Sequence, residues 1–481
     1  MDIQKIAMDG LVAASMHKAS YCDIRYEIIT DEKLSYSDGD PDPIESSLSA
    51  GWAVRLLING AWGFASTDDP AITIDKLTVR AAAIAKASAK VSQRPIELTP
   101  SPVESGEFIS RYKKDPFTVP LTEKIAFLTG IDEAMASHAD INSRSCFVSF
   151  RKLEKFFYSS EGSEQHQVLI QSGSGISMGI SKSRRENYER SYPKAAGQYE
   201  LKGYELLDEL DFKKHIPQLA DEIKQLTTAT ACPQKNATLV LAGNITSLVI
   251  HESIGHALEL DRVFGMERNF SGISFATPDN LNHLQYGADI VNVSVDASAD
   301  GALGSFGWDD EGVKSKKIPL IKNGILTDYL SSRDTAGRVN HVSTGNLRAE
   351  GWKNIPIVRM SNTILEPGDK SFADIIGEVE DGIYMDGPTS WSIDDLRKNF
   401  QFGCEIGWEI KNGKLADAVK NPTFSGCTTQ FWNNCDAIGD KSQFVIQGTP
   451  NCGKGQPGQN ARTGEGASTT RFLNIEVGVQ S

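Results

Sequence analysis

The sequence lacks the marks of several large protein classes. It has no apolar run long enough and free enough of charge to span a bilayer. Its opening stretch, MDIQKIAMDGLVAASMHKAS, carries Asp2, Lys5 and Asp9 where a secretory signal would need an uninterrupted apolar centre, so no such signal is expected. Cysteine is sparse: seven residues, an odd number at scattered positions in 481, argue against a disulfide framework and for a reducing cytoplasm. No basic patch stands out, and a net charge of −14 spread along the chain argues against general affinity for nucleic acid or for an anionic membrane.

What is present is enough apolar sequence for a large interior. At 481 residues and 40% hydrophobic content the chain exceeds what one core usually supports, and two or three domains are expected. Residues 3–14 place Ile3, Ile6, Ala7, Leu11 and Ala14 on one helical stripe, and TIDKLTVRAAAIAKASAK, TEKIAFLTGIDEAMASHA and GYELLDELDFKKHIPQLADEIKQLTTAT read as further helices. Strands are expected around three Asn-Gly dipeptides, Asn59-Gly60, Asn323-Gly324 and Asn412-Gly413, because a type I′ hairpin turn needs positive φ at both central residues. Arg144 to about Gln171 also reads as strands, as does FGCEIGWEI, where Phe402, Cys404, Ile406, Trp408 and Ile410 share a face. The proline-bearing stretch SQRPIELTPSPVESGE reads as a domain edge, and a new unit begins near Cys232. These signals predict an α+β fold: residues 1–100 and 101–228 as two units with mixed or antiparallel sheet and flanking helices, and 229–481 as a mainly antiparallel β domain.

That last unit carries the stretch HESIGHALE, with His251 and His256 five residues apart. In the zinc motif H-E-x-x-H the histidines are four apart, and a helix turning ~100° per residue brings them within about 40° of each other. Five apart, a regular helix leaves them about 140° apart, so shared ligation needs a one-residue expansion, a π-bulge. Gly255 would supply backbone freedom there. Alone the pattern is weak, and both histidines fit ordinary helical positions on different faces. The surrounding Val249, Ile250, Ile254 and Leu258 imply a buried helix whose polar groups need partners. Asn244 or Thr246 is placed to cap it.

A zinc site needs a third ligand, which His, Asp, Glu or Cys can provide. Cys404 reads as core, and Cys22, Cys146 and Cys232 as core or surface thiols. Cys427 and Cys435 do not match zinc-knuckle spacings. Cys452 lies in a Gly/Pro loop, GTPNCGKGQPGQ, from which a thiolate can project into a cleft. The same loop matches G-x-x-x-x-G-K, but Gly455 stands where a phosphate loop needs Ser or Thr, and no helix can follow. Asp309, Asp310 and Glu311 form a cluster with the chemistry for calcium or magnesium, for which a solvated loop is the commoner explanation.

Together these segments resemble the TldD/TldE family of zinc metalloproteases, also called PmbA or modulator of gyrase, in its TldD-like catalytic branch. The resemblance runs nearly end to end through GAWGFAST (60–67), SSEGSEQHQ (159–167), HESIGHALELD (251–261), DDEG (309–312), RMSNTILEPG (359–368), FGCEIG (402–407) and CGKGQ (452–456). It implies zinc ligation by His251, His256 and Cys452, with Glu252 as the general base assisting attack of zinc-bound water on unfolded peptides. Ala257 and Leu260 depart from glycines common in that branch, and neither change removes an implied ligand. Glu259 would orient a ligand histidine or form a surface salt bridge. The resemblance also implies a homodimer, or a heterodimer with a TldE-like subunit, around an enclosed site that takes extended chains. The alternative within the family is a non-catalytic TldE-like partner. A nucleic-acid-associated regulator is disfavoured by the charge.

Overall fold

The computed structural model describes residues 1–183, 186–194 and 196–478. Residues 184, 185, 195 and 479–481, within the expected central and C-terminal units, lie outside them. Each Asn-Gly pair turns a hairpin with both residues at positive φ: 52° and 72° at Asn59-Gly60, 48° and 76° at Asn323-Gly324, 48° and 75° at Asn412-Gly413.

The N-terminal half is organised on a nine-stranded sheet. Its long central strands, Tyr21–Ser37, Ser143–Ser159 and Glu164–Ser183, pair antiparallel, and Gly106–Ile109 joins the last of them in parallel. Helices Ile3–Met16 and Ile74–Ala89 are alanine-rich on the inner face, which lets Ala7, Ala14, Ala81 and Ala85 pack close against Ile24, Val54 and Leu56. Helices Leu121–Ala136 and Phe212–Thr228 bury Leu128, Ile131, Ile216 and Ile223 against Val148, Phe150 and Ile176.

The C-terminal half holds an eight-stranded and a six-stranded sheet. In the first, Lys235–Leu241 runs antiparallel to Thr470–Val477 and parallel to Asp381–Ile393. Asn399–Lys411 pairs with Asp381–Ile393 and also with Thr423–Cys427, which pairs with Thr470–Val477, so the ladder closes on itself. On the other face of Asn399–Lys411, opposite the one shared by Phe402, Cys404 and Ile406, Glu405 accepts from Arg190 Nη1 at 2.6 Å and from the Ser191 N–H. In the second sheet, Val445–Lys454 lies at the edge beside Gln459–Ala467. The architecture is α+β, with antiparallel and mixed sheets. Among the described residues, no helix is long and apolar enough to cross a membrane.

Two local expectations are corrected. Cys452 sits in the extended strand Val445–Lys454 and not in a loop, because the chain pairs with Gln459–Ala467 up to Lys454 before turning. The helix after Lys235–Leu241 begins at Gly243 with Ala242 at its cap. Asn244 is spent on Asp386, and Thr246 donates back to the Ala242 carbonyl.

Candidate metal centre

The central helix changes gauge at the motif. Gly243–Ile250 is α-helical, His251–Gly255 a π-turn and His256–Leu258 a 3-10 turn. The His256 N–H donates to the His251 carbonyl, the five-residue bond of a π-turn. Widening disrupts the regular ladder, and buried Tyr286 donates its hydroxyl to the Ser253 carbonyl at 2.5 Å. Val249, Ile250, Ile254 and Leu258 are fully buried in the main C-terminal core, which fixes the helix in place. Gly255 has ordinary helical angles, φ −52° and ψ −65°, so backbone freedom is not its use. A Cβ there would fall 2.0 Å from Met360 Sδ, and the glycine is required by space.

The wide turn brings the two imidazoles to the same side, with centroids 4.9 Å apart and planes at 89°. Cys452 Sγ lies 3.3 Å from His251 Nε2 and 3.4 Å from His256 Nε2. One ligand atom from each residue falls within 4.8 Å of the others, and all three residues are buried. The Nδ1 atoms face carboxylates: His251 meets Glu465 Oε1 at 2.7 Å, and His256 meets Glu259 Oε2 at 2.8 Å. A carboxylate accepting Nδ1–H leaves the Nε2 lone pair free to ligate, an arrangement typical of metal-bound histidine. The donor set therefore fits a zinc-type cation.

The electrostatics are those of a thiolate site. Burial alone raises the Cys452 thiol, but His251, His256 and Arg359 outweigh it and hold it well below the usual thiol range. Arg359 Nη2 donates to Sγ at 3.1 Å and to the Cys452 carbonyl at 2.5 Å. Burial disfavours charge on His251, yet Cys452 and Glu465 keep it well above the ordinary imidazole value, whereas on His256 burial prevails and pushes it down.

Glu252 is 6% exposed and accepts from Arg397 Nη1 at 2.5 Å. Arg397 is held at φ 61° in the turn between Asp381–Ile393 and Asn399–Lys411. A cleft of about 600 Å³ opens over His251, Glu252, His256 and Cys452, with Leu248, Pro388, Trp391 and Ile393 on its walls. Glu259 is fully buried, not a surface carboxylate, and its second neighbour is Lys454 at 3.4 Å. Lys454, the lysine of the phosphate-loop match, is itself fully buried and donates to Asp261 and to the Val358 carbonyl.

The acidic cluster is corrected. Asp309, Asp310 and Glu311 are 2%, 3% and 4% exposed, not in a solvated loop, and do not line the cleft. Asp309 accepts the N–H groups of Glu311, Val313 and Leu347. Glu311 accepts the Arg333 N–H. Asp310 joins the two halves, taking Lys155 at 2.5 Å and Arg25 at 3.5 Å from the N-terminal sheet and the Ala349 N–H from the other side. Burial opposes its charge, but these partners bring it down to about 2.

The chain is similar to known proteins over nearly its whole length. The profile of the PmbA/TldA metallopeptidase C-terminal domain matches residues 234–478, and that of domain 1 of the same metallopeptidases matches 22–88. A metalloprotease of Methanocaldococcus jannaschii is 31% identical, over 94% of this chain and 96% of its own. The chain belongs to the PmbA/TldD metallopeptidase family. A zinc metalloprotease TldD homologue of Saccharolobus solfataricus is 24% identical over 96% of this chain and 97% of its own. Two solved structures share the fold: a Thermotoga maritima protein described as a candidate modulator of a DNA gyrase, with TM-score 0.78 at 15% identity over 98% of this chain and 99% of that one, and TldE of Thermococcus kodakarensis, with 0.75 at 16% over the same shares.

Within this metallopeptidase fold the sequence reading missed Glu465 and Arg397. Glu465 stands alone in TGEGAS, 214 residues from His251. A carboxylate among small residues of a strand was the available signal. Arg397, 145 residues from Glu252, sits in a polar turn that resembles any exposed hairpin end.

Proposed function

We propose that the chain is a zinc-dependent peptidase acting on unfolded peptides, with His251, His256 and Cys452 as ligands and Glu252 as general base. The observation that carries this reading is the convergence of two Nε2 atoms and one thiolate sulfur, each imidazole anchored by a buried carboxylate, beside an ion-paired glutamate in an open cleft. Bound zinc supplies Lewis acidity, polarising a carbonyl and acidifying water. Glu465 and Glu259 hold the imidazoles in the tautomer that presents Nε2. Glu252 takes the proton of the attacking water and returns it to the leaving amine nitrogen, and Arg397 orients it through Oε2. Val445–Lys454 is an edge strand whose Thr449, Asn451 and Gly453 border the cleft, so an extended peptide can pair with it.

The three units 1–100, 101–228 and 229–481, a cytoplasmic location, and assembly as a homodimer or with a TldE-like subunit belong to the same proposal. Metal analysis and peptide hydrolysis test it. Stoichiometric zinc is expected, with hydrolysis falling about 10²–10⁴-fold in Glu252→Gln while zinc stays bound, and with weakened zinc retention in Cys452→Ser. Full activity in Glu252→Gln sinks the general-base assignment, whereas protein that is zinc-free as purified and hydrolyses no peptide favours the non-catalytic alternative.

A further inference from the structure

The peptidase chemistry leaves one charged side chain of the cleft unused. Lys194 is 9% exposed and lines the same cleft as His251 and Glu252. Among the described residues its ammonium makes no hydrogen bond and no ion pair. Its charged neighbour Glu465 is already committed to His251 and to the Thr449 hydroxyl. The Lys194 stem is buried, while its nitrogen is not fully enclosed and opens on the cleft, where an anionic group of a ligand can reach it. Burial accordingly pulls Lys194 down to about 8, even against the Glu465 charge.

Arg397 lines the same cleft. Its Nη1 is taken by Glu252 and its Nε is enclosed without an acceptor, while its Nη2 makes no hydrogen bond among the described residues. The two carboxylates of the cleft, Glu252 and Glu465, are thus both spoken for, while donors on Lys194 and Arg397 are not. Leu248, Pro388, Trp391 and Ile393 give the cleft an apolar wall, with Trp391 55% exposed. An anion carried on a partly apolar, extended chain satisfies all of this, and on a peptide that anion is a carboxylate.

We propose that Lys194, together with Arg397, forms a carboxylate-recognition subsite, so that preferred substrates present a carboxylate beside the scissile bond, either the chain's own C-terminus or an Asp or Glu side chain. This rests on the peptidase reading for the identity of the ligand. It adds a substrate class, and a C-terminal carboxylate would make the enzyme trim from that end.

The test uses zinc-loaded protein and acetylated tripeptides of product length, titrated calorimetrically so that binding is read without turnover. One pair differs only in a free or amidated C-terminus, another only in Glu or Gln. Removing the relevant carboxylate is expected to weaken binding to the wild type on the order of tenfold or more, the loss of a charge-assisted hydrogen bond. The same pair should bind Lys194→Met equally. Sensitivity to amidation alone assigns the C-terminus, and sensitivity to Glu against Gln alone assigns an acidic side chain. The proposal is overturned if the wild type binds both members of both pairs equally, or if Lys194→Met keeps the preference. The wild-type peptide comparison decides even if that variant does not fold. Failure of the zinc-loaded wild type to hydrolyse any peptide refutes the peptidase reading separately, and the binding preference still decides the subsite.

Discussion

Replacing Gly255 with alanine separates two reasons for a glycine inside the widened turn. At φ −52° and ψ −65° an alanine backbone is unstrained, and helix propensity alone would favour the change by about 0.8–1.0 kcal/mol. Sterically the outcome is opposite. The new methyl would sit 2.0 Å from Met360 Sδ, 3.2 Å from its Cγ and 3.4 Å from its Cε, and Met360 is fully buried in the main core. Overpacking of this kind costs about 1–3 kcal/mol. Because Met360 is enclosed by core on all sides, the upper part of that range, about 2–3 kcal/mol, applies; set against the propensity gain it leaves a net loss of about 1–2 kcal/mol in denaturant unfolding. His256 moves with the displaced backbone, so zinc should also be lost more readily to a chelator. Met360→Ala added to Gly255→Ala opens the needed space, and the pair should show a favourable coupling of about 0.5–3 kcal/mol. If Gly255→Ala alone is as stable as the wild type, or more so, with unchanged zinc retention, crowding against Met360 is not what demands the glycine.

Three further outcomes follow from the contacts. Glu465→Gln should lower zinc affinity about 10–100-fold by loosening His251, measured by chelator competition; unchanged affinity removes Glu465 from the site. Asp310→Asn leaves Lys155 buried without its counter-ion, while Arg25 keeps Glu27, and should destabilise the chain by about 3–5 kcal/mol, read as a shifted unfolding midpoint, whereas a neutral result shows that this junction does not hold the halves together. Burial pushes Glu405 up to about 7 from 4.5 despite Arg190; a raised carboxyl pKa adds stability that is complete below about 4.5 and lost as pH rises through about 7, worth roughly 3 kcal/mol. Glu405→Gln should therefore flatten that part of the stability–pH curve, and an unchanged curve contradicts the assignment.

Much of the local structure is legible from adjacent residues. The three Asn-Gly turns form because Asn and Gly tolerate positive φ, a property of the dipeptide itself. The π-turn follows from the spacing of His251 and His256 once both must reach one point. The burial of Val249, Ile250, Ile254 and Leu258 follows from their apolar pattern. Other readings failed where the deciding partner was remote. DDEG looks like a solvated loop because Lys155 and Arg25, which make its burial possible, belong to another sheet. The loop around Cys452 is a strand because Gln459–Ala467 pairs with it in spite of its glycines and proline.

The sequence by itself determined the elements, the hairpins and the need for a distorted helix at HESIGH, since each depends on backbone preferences and periodicity within a few residues. Only the tertiary structure decided that Glu465 and Glu259 hold the two imidazoles, that Arg397 meets Glu252, that Met360 requires Gly255 to be a glycine and that Lys194 is left unpaired in the cleft. Those are contacts between side chains far apart in the chain. Their energies come from burial and charge in a shared interior, which no local pattern of residues records.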